Sequence, residues 1–170
     1  MDPLILTALF DAPLQDRLEA DRRAWFPAER NMIPAHLTLF HALPGEAADR
    51  VSHEIAEAAA GTPPCPVAVA GLMKLGRGWA WRIEAPALKS LHRRLRTAFD
   101  DLLTDQDRQG LHPHVTVQNK AGADAVARAG EALRAAAPPP DGVVRALALW
   151  HYRGGPWDPA AEFGLTGDGA

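Results

Sequence analysis

The feature that most constrains this chain is a short pattern that occurs twice. A histidine is followed two residues later by a threonine, within an apolar run, in AHLTLF (residues 35–40) and again in HPHVTVQNK (residues 112–120). With seven histidines and seven threonines in 170 residues, chance predicts roughly 0.3 such pairs. Both copies alternate apolar and polar residues, which is typical of a half-buried β-strand. The chain is therefore expected to fold so that the two matching strands contribute to one site.

The alternation assigns the side chains of each copy to two faces, because side chains two residues apart on a strand point the same way. One face of the first copy is expected to carry His36, Thr38 and Phe40, and the other Leu37, Leu39 and Leu43. In the second copy one face carries His114, Thr116 and Gln118, and the other Val115 and Val117. The same parity places His41 on the apolar face, so a structural role is expected for it.

Paired histidines and threonines suit phosphodiester chemistry that needs no metal. Cleavage requires a base for the incoming oxygen and an acid for the leaving one, roughly in line across phosphorus. Imidazoles serve both roles near neutral pH, and threonine hydroxyls donate hydrogen bonds to phosphate oxygens. The sequence thus predicts that His36 and His114 act as acid and base, and that Thr38 and Thr116 bind the phosphate. For either copy alone, a histidine hydrogen-bonded in the core is the competing interpretation.

Composition restricts the class of protein. The net charge of −3 gives no basic field that would hold long nucleic acids non-specifically. The single Cys65 excludes an internal disulfide framework and a cysteine-based zinc cluster. No apolar run approaches the ~20 residues of a membrane span, and no signal peptide is expected because Asp2 and Asp11 flank only eight residues. We expect one cytoplasmic domain, residues 1–170, and a monomer.

Hydrophobic periodicity gives the order of the elements. Strands are predicted at residues 4–10, 36–43, 67–73, 79–85, 114–118, 143–152 and 161–165. Helices are predicted from Pro13 to Trp25, from Ala47 to the region before Gly61, from Pro86 to Leu102, and over residues 121–137. Strands adjacent in sequence favour antiparallel pairing, and the fold class is therefore α+β (α/β). Neither a Walker-type lysine loop nor a G-x-G-x-x-G loop is present, which argues against a doubly wound nucleotide-binding fold.

The flanks of both motifs resemble a known family. IPAHLTLFHALPG and HPHVTVQNK are similar to segments of the 2H phosphoesterase superfamily, specifically its bacterial 2′-5′ RNA ligase-like branch. LWHYRGGPW, residues 149–157, also resembles a C-terminal strand and loop of those proteins. The resemblance implies a two-lobed fold, with two antiparallel sheets related by a pseudo-two-fold axis around a central groove and helices outside.

The same resemblance implies the function and the site. The catalytic pair is His36 and His114, the phosphate-binding pair is Thr38 and Thr116, and neither a metal nor another cofactor is required. The implied substrate is a 2′,3′-cyclic phosphate, a 2′-5′ linkage or a related cyclic nucleotide or RNA end. Two other functions stay open: a non-catalytic RNA- or nucleotide-binding module on the same fold, and 2′-5′ ligation of RNA.

Several other residues could reach a substrate. Lys120 and Arg153 are cations near expected strand ends, and Tyr152, Trp157 and Phe40 could stack on a base, although solvation or apolar packing is the simpler interpretation of each. Trp79 and Trp81 are expected in the core or the groove wall. His112 and His114 lack a carboxylate or cysteine at ligand spacing, so no metal site is predicted. His53, His92 and His151 are expected at the surface.

Overall fold

The computed structural model describes residues 1–169 of the chain. Its seven strands are β1 (Leu4–Phe10), β2 (Leu37–Leu43), β3 (Cys65–Leu75), β4 (Gly78–Glu84), β5 (His114–Gln118), β6 (Gly142–Tyr152) and β7 (Trp157–Gly164). Its four α-helices are α1 (Ala12–Trp25), α2 (Ala48–Ala60), α3 (Pro86–Ala98) and α4 (Ala123–Ala135), with 3₁₀ turns at Ala28–Arg30 and Gly45–Ala47. Within residues 1–169, no helix is long and apolar enough to span a membrane.

The strands form one antiparallel arrangement in the order β2-β1-β6-β3-β4-β5, with β7 also paired to β6. Strand β3 joins two sheets, because Cys65–Val67 pairs with β6 whereas residues 68–75 pair with β4. Gly71, with φ of +132°, lies at an irregularity in the pairing of β3 with β4. Each lobe therefore has its own antiparallel sheet, and the predicted α+β class is confirmed.

The two motif strands lie at opposite ends of this strand order. Strand β2 ends one side and β5 ends the other, yet the two strands contact each other. Helix α1 packs against β5 and also contacts β1 and β6, so it links the two lobes. The fold thus brings the two distant copies of the pattern together at one place.

Apolar stripes explain why the helices pack on the sheets. Helix α2 buries Val51, Ile55, Ala58 and Ala59, and α3 buries Leu88, Leu91, His92 and Leu95. Proline in the first turn of α1 and of α3 suits a position where no backbone donor is needed. The core cluster includes residues of both lobes, among them Leu6, Phe40, Ile83 and Val115.

All seven strands and four helices are found close to their predicted positions, with two differences. Helix α3 ends at Ala98, before the predicted Leu102. Phe99, the residue that caps the helix, is already buried, so the helix need not continue to bury it. Strand β7 begins at Trp157 and not at residue 161, since Trp157 pairs with Tyr152 and closes a short connection through Gly154 (φ +80°).

Candidate active site

One cavity of about 490 Å³ contains all four residues of the repeated pattern. His36 and Thr38 line it from the β2 side, and His114 and Thr116 line it from β5. The rest of the lining is Ile5, Leu39, His41, His92, Gln106, Asp107, Gln109, Gly110, Leu111, His112 and Trp157. The expected convergence of two imidazoles and two hydroxyls is thus observed in the structure.

Both imidazoles are held in the same way. Nδ1 of His36 lies 2.8 Å from the carbonyl oxygen of Pro34, and Nδ1 of His114 lies 2.8 Å from that of His112. A carbonyl oxygen only accepts hydrogen bonds, so Nδ1 carries the proton in each ring. Nε2 of each ring is therefore the atom that can exchange a proton with a group in the cavity.

A β-bulge follows the threonine in each motif strand. Thr38 and Phe40 pair with the consecutive residues Thr7 and Leu6, so Leu39 is an extra residue in β2. In β5 the corresponding extra residue is Val117, because Thr116 and Gln118 pair with Ala80 and Trp79. The two copies thus share an irregularity as well as a sequence pattern.

Because of the bulges, Phe40 and Gln118 lie on the opposite face from the one expected. Phe40 and Gln118 were placed beside their histidine and threonine by strict alternation, but both are buried, at 0% and 1% exposure. An extra residue reverses the alternation beyond it. Phe40 packs edge-on against Phe99 in the core, and Nε2 of Gln118 donates to the carbonyl of Ala125. Neither residue belongs to the groove.

The same reversal brings His41 to the cavity, so the face expected for it is wrong. Its side chain is 49% exposed, and its Nδ1 lies 3.1 Å from Oδ1 of Asp107. The Asp107 carboxylate also accepts hydrogen bonds from the backbone N–H groups of His41 and Ala42, at 2.8 and 2.9 Å. Burial raises the pKa of Asp107, but these hydrogen bonds outweigh it and lower that pKa below its usual value. Asp107 therefore attaches the loop of residues 99–113 to β2.

His92 also departs from its expected place at the surface. It is 2% exposed and its ring stacks on Phe40, with centroids 4.7 Å apart. Burial and the positive charge of Arg96 lower its pKa, against smaller opposing effects of the Leu39 backbone and Asp107. The ring lines the cavity and packs on Phe40, and its lowered pKa favours the neutral form at pH 7.

His36 has a different electrostatic environment from an exposed histidine. Burial lowers its pKa to about 4. The hydrogen bond to Pro34 raises this pKa, and the charges of Arg22, His114 and His41 lower it further. His36 is therefore neutral at pH 7, and its Nε2 is free to accept a proton.

Arg22 is a site residue that the sequence did not reveal, because nothing in its local pattern separates it from the solvated arginines of α1. It is 3% exposed and lines a smaller cavity together with His36 and Thr116. Its Nη1 donates to the carbonyl of Thr116 at 2.9 Å, and its Nε donates to Oδ1 of Asn31 at 2.8 Å. The guanidinium also lies over the ring of Phe26, 4.0 Å from the centroid.

The structure separates the weaker candidates. Trp157 lines the cavity, and Lys120 lines a smaller neighbouring one. Arg153 forms ion pairs with Asp2 and Asp158, and Tyr152 is an exposed aromatic side chain. The remaining two, Trp79 and Trp81, are buried as expected.

Within residues 1–169 there is no group of three or more His, Cys, Asp or Glu side chains that could hold a metal ion.

Comparison with known proteins connects this chain to a family. Residues 10–156 match the family model of the 2′-5′ RNA ligase superfamily. The structure is similar to the protein TT0787 of Thermus thermophilus, with a TM-score of 0.64 and 18% identity over 98% of this chain and 100% of that one. No curated protein matches the chain by sequence.

Two structures of E. coli LigT also resemble it. The complex of LigT with 3′-AMP gives a TM-score of 0.60 and 19% identity over 97% of this chain and 98% of LigT. The complex with phosphate gives 0.62 and 18% over the same shares. At such identities the likeness establishes a common fold.

Proposed function

The chain belongs to the 2′-5′ RNA ligase superfamily, and from that premise we propose that it is a phosphodiesterase that works without a metal. Its substrate is a 2′,3′-cyclic phosphate, a 2′-5′ linkage or a related RNA end. The observation that carries the proposal is the single cavity lined by His36, Thr38, His114 and Thr116. A module that only bound nucleotides would not need two imidazoles fixed with Nε2 available.

The two histidines have different roles in hydrolysis. Neutral His36 takes a proton from water through Nε2 as the water oxygen bonds to phosphorus, and the bond from phosphorus to the leaving oxygen breaks. His114, protonated, gives its Nε2 proton to that oxygen. Each cycle transfers one proton to His36 and one from His114, and exchange with solvent restores both. The lowered pKa of His36 supports this assignment.

The threonines stabilise the charge on the phosphate. Thr38 and Thr116 donate their hydroxyl protons to the two non-bridging oxygens, and each is partly exposed in the cavity. The complexes of LigT with 3′-AMP and with phosphate support this proposal, since a phosphate monoester is the product of opening a cyclic phosphate. With a 5′-hydroxyl of a second RNA end in place of water, the same proton transfers would form a 2′-5′ bond: the 5′-oxygen bonds to phosphorus of a 2′,3′-cyclic phosphate, and the bond from phosphorus to the 3′-oxygen breaks.

The test is turnover of nucleoside 2′,3′-cyclic phosphates and 2′-5′ dinucleotides in the presence of EDTA. We expect hydrolysis by the native protein and a loss of about 10²–10⁴-fold in kcat for both His36→Ala and His114→Ala. His53→Ala, at an exposed position of α2, is the matched control and should retain full activity. Binding without turnover across both substrate types would favour the non-catalytic module.

A further inference from the structure

A second cavity, of about 230 Å³, adjoins the reacting pair. We call it the basic cavity; its lining is Arg22, Phe26, Arg30, His36, Thr116, Asn119 and Lys120. His36 and Thr116 line both cavities, so the basic cavity lies directly beside the proposed site of reaction. Three cations line it, Arg22, Arg30 and Lys120, and no carboxylate does.

The three cations lack acidic partners. Within residues 1–169, neither Arg22 nor Arg30 nor Lys120 forms an ion pair. The acidic group that acts on Arg22 is Glu19, but its carboxylate accepts hydrogen bonds from Gln15 Nε2 and from the backbone N–H of Ala35. Glu19 offsets part of the charge of Arg22, but no carboxylate lines the cavity itself, so a phosphate bound there would meet net positive charge.

Arg22 is the unusual member of this group, because a guanidinium that is 3% exposed is rarely left without an anion. Two of its nitrogens are held by Thr116 and Asn31, which fixes the plane of the guanidinium. Its other terminal nitrogen, Nη2, has no hydrogen-bond partner among residues 1–169. Such a fixed cation can bind a phosphate with little loss of side-chain entropy.

Lys120 is an exposed residue of the cavity lining and has a strained backbone conformation. Its φ of 56° falls in the left-handed region, which side chains other than glycine seldom adopt. The Oδ1 of Asn119 accepts the backbone N–H of Lys120 at 2.8 Å and supports this turn. Strain of this kind is concentrated at ligand-binding sites.

We propose that the basic cavity is a second phosphate-binding subsite, which holds the phosphate on the 5′ side of the ribose whose 2′ or 3′ phosphate reacts. The inference rests on the proposed function, because it states which substrates the histidine pair prefers. It assigns them to nucleotides with two phosphates: either a 5′-phosphorylated nucleotide or an RNA end with at least one more residue. A cyclic mononucleotide without a 5′-phosphate leaves this subsite empty.

The test is a calorimetric comparison of ligands that cannot be turned over. Adenosine 3′,5′-bisphosphate and the dinucleotide ApA 3′-phosphate each supply the second phosphate, as a terminal group and as an internucleotide link respectively. We expect one or both to bind about tenfold tighter than 3′-AMP. Whichever gains identifies the source of the second phosphate. The gain should decrease at high salt because it is ionic.

Substitutions test whether the gain in affinity comes from the basic cavity. In Lys120→Gln and Arg30→Gln, both at exposed positions, the affinity ratio of the two-phosphate ligand to 3′-AMP should fall towards one. In Lys89→Gln and Arg23→Gln, exposed cations elsewhere, it should stay near ten. Arg22 is less suitable for the test, since its buried hydrogen bonds also support the fold.

The outcomes separate this inference from the proposed function. Equal affinity for all three ligands, or a gain that survives both Lys120→Gln and Arg30→Gln, would overturn the subsite alone. A gain lost in those variants, in a protein that turns over no substrate, would support the subsite and overturn the phosphodiesterase. Failure of all three ligands to bind would overturn both.

Discussion

The imidazole of His36 lies against the indole of Trp157, with ring centroids 4.8 Å apart and ring planes inclined by 59°. Trp157 is the first residue of β7, and its other neighbour is Trp150, at 6.2 Å between centroids. The indole thus covers one side of the imidazole and shields that side from water, while the ring also lines the cavity. Burial is the largest cause of the low pKa of His36, so this contact connects β7 to the proton chemistry.

The first prediction concerns the pH profile of kcat/KM, which reports the pKa values of the free enzyme. If His36 is the base, activity falls at low pH only when His36 becomes protonated, and the acidic limb should lie near pH 4. An ordinary histidine would place that limb near pH ~6.5. An acidic limb between pH 6 and 7, in a protein whose His36 ring titrates near pH 4 by NMR, would exclude His36 as the base and exchange the roles of His36 and His114.

Removing the indole should raise the pKa of His36. In Trp157→Ala water also reaches the side of the imidazole that the indole covers, so the desolvation that lowers the pKa decreases. NMR titration of the ring protons should show a value closer to ~6.5, and the acidic limb of kcat/KM should move up with it. The effect should be smaller in Trp157→Phe. Tyr152→Ala, at the exposed residue paired with Trp157, is the control and should leave the titration in place.

The threonine hydroxyls should contribute to the rate more than to folding. Thr38→Val and Thr116→Val keep the shape of each side chain and remove one donor to the phosphate, so each should lower kcat/KM about 10–100-fold. Urea unfolding should show little change, because both side chains are only partly buried. Thr97→Val, on the exposed face of α3, controls for the substitution itself. Full activity in either motif variant would remove that threonine from the mechanism.

Asp107 should matter for stability. Asp107→Ala leaves two backbone N–H groups of β2 and the His41 ring without their acceptor, and we expect the free energy of unfolding to fall by about 3 kcal/mol. Asp105→Ala, exposed in the same loop, should change it little. The pKa of Asp107 is lowered in the folded state, so its stabilisation is present above the ordinary carboxyl pKa and declines as the pH falls. A difference between the two variants that grew towards acid would contradict this sign.

Local patterns predicted the strands, the helices and the four residues of the paired motif, because each depends on spacing within a few residues. What they missed depends on contacts between distant segments. A bulge after Thr38 or Thr116 adds a residue without changing local composition, so strict alternation placed His41, Phe40 and Gln118 on the wrong faces. Arg22 looks like an ordinary helix-surface arginine until α1 packs against β5.

The position of the motif strands at the two ends of one strand order has a consequence for assembly. The proposed catalysis needs β2 and β5 together, and the strands between them in this order connect the two in the folded protein. A polypeptide divided at the β3–β4 hairpin would carry His36 on one fragment and His114 on the other, so neither fragment would have the complete proposed site. The turnover recovered on mixing such fragments would therefore measure the fraction of molecules in which the complete sheet has re-formed.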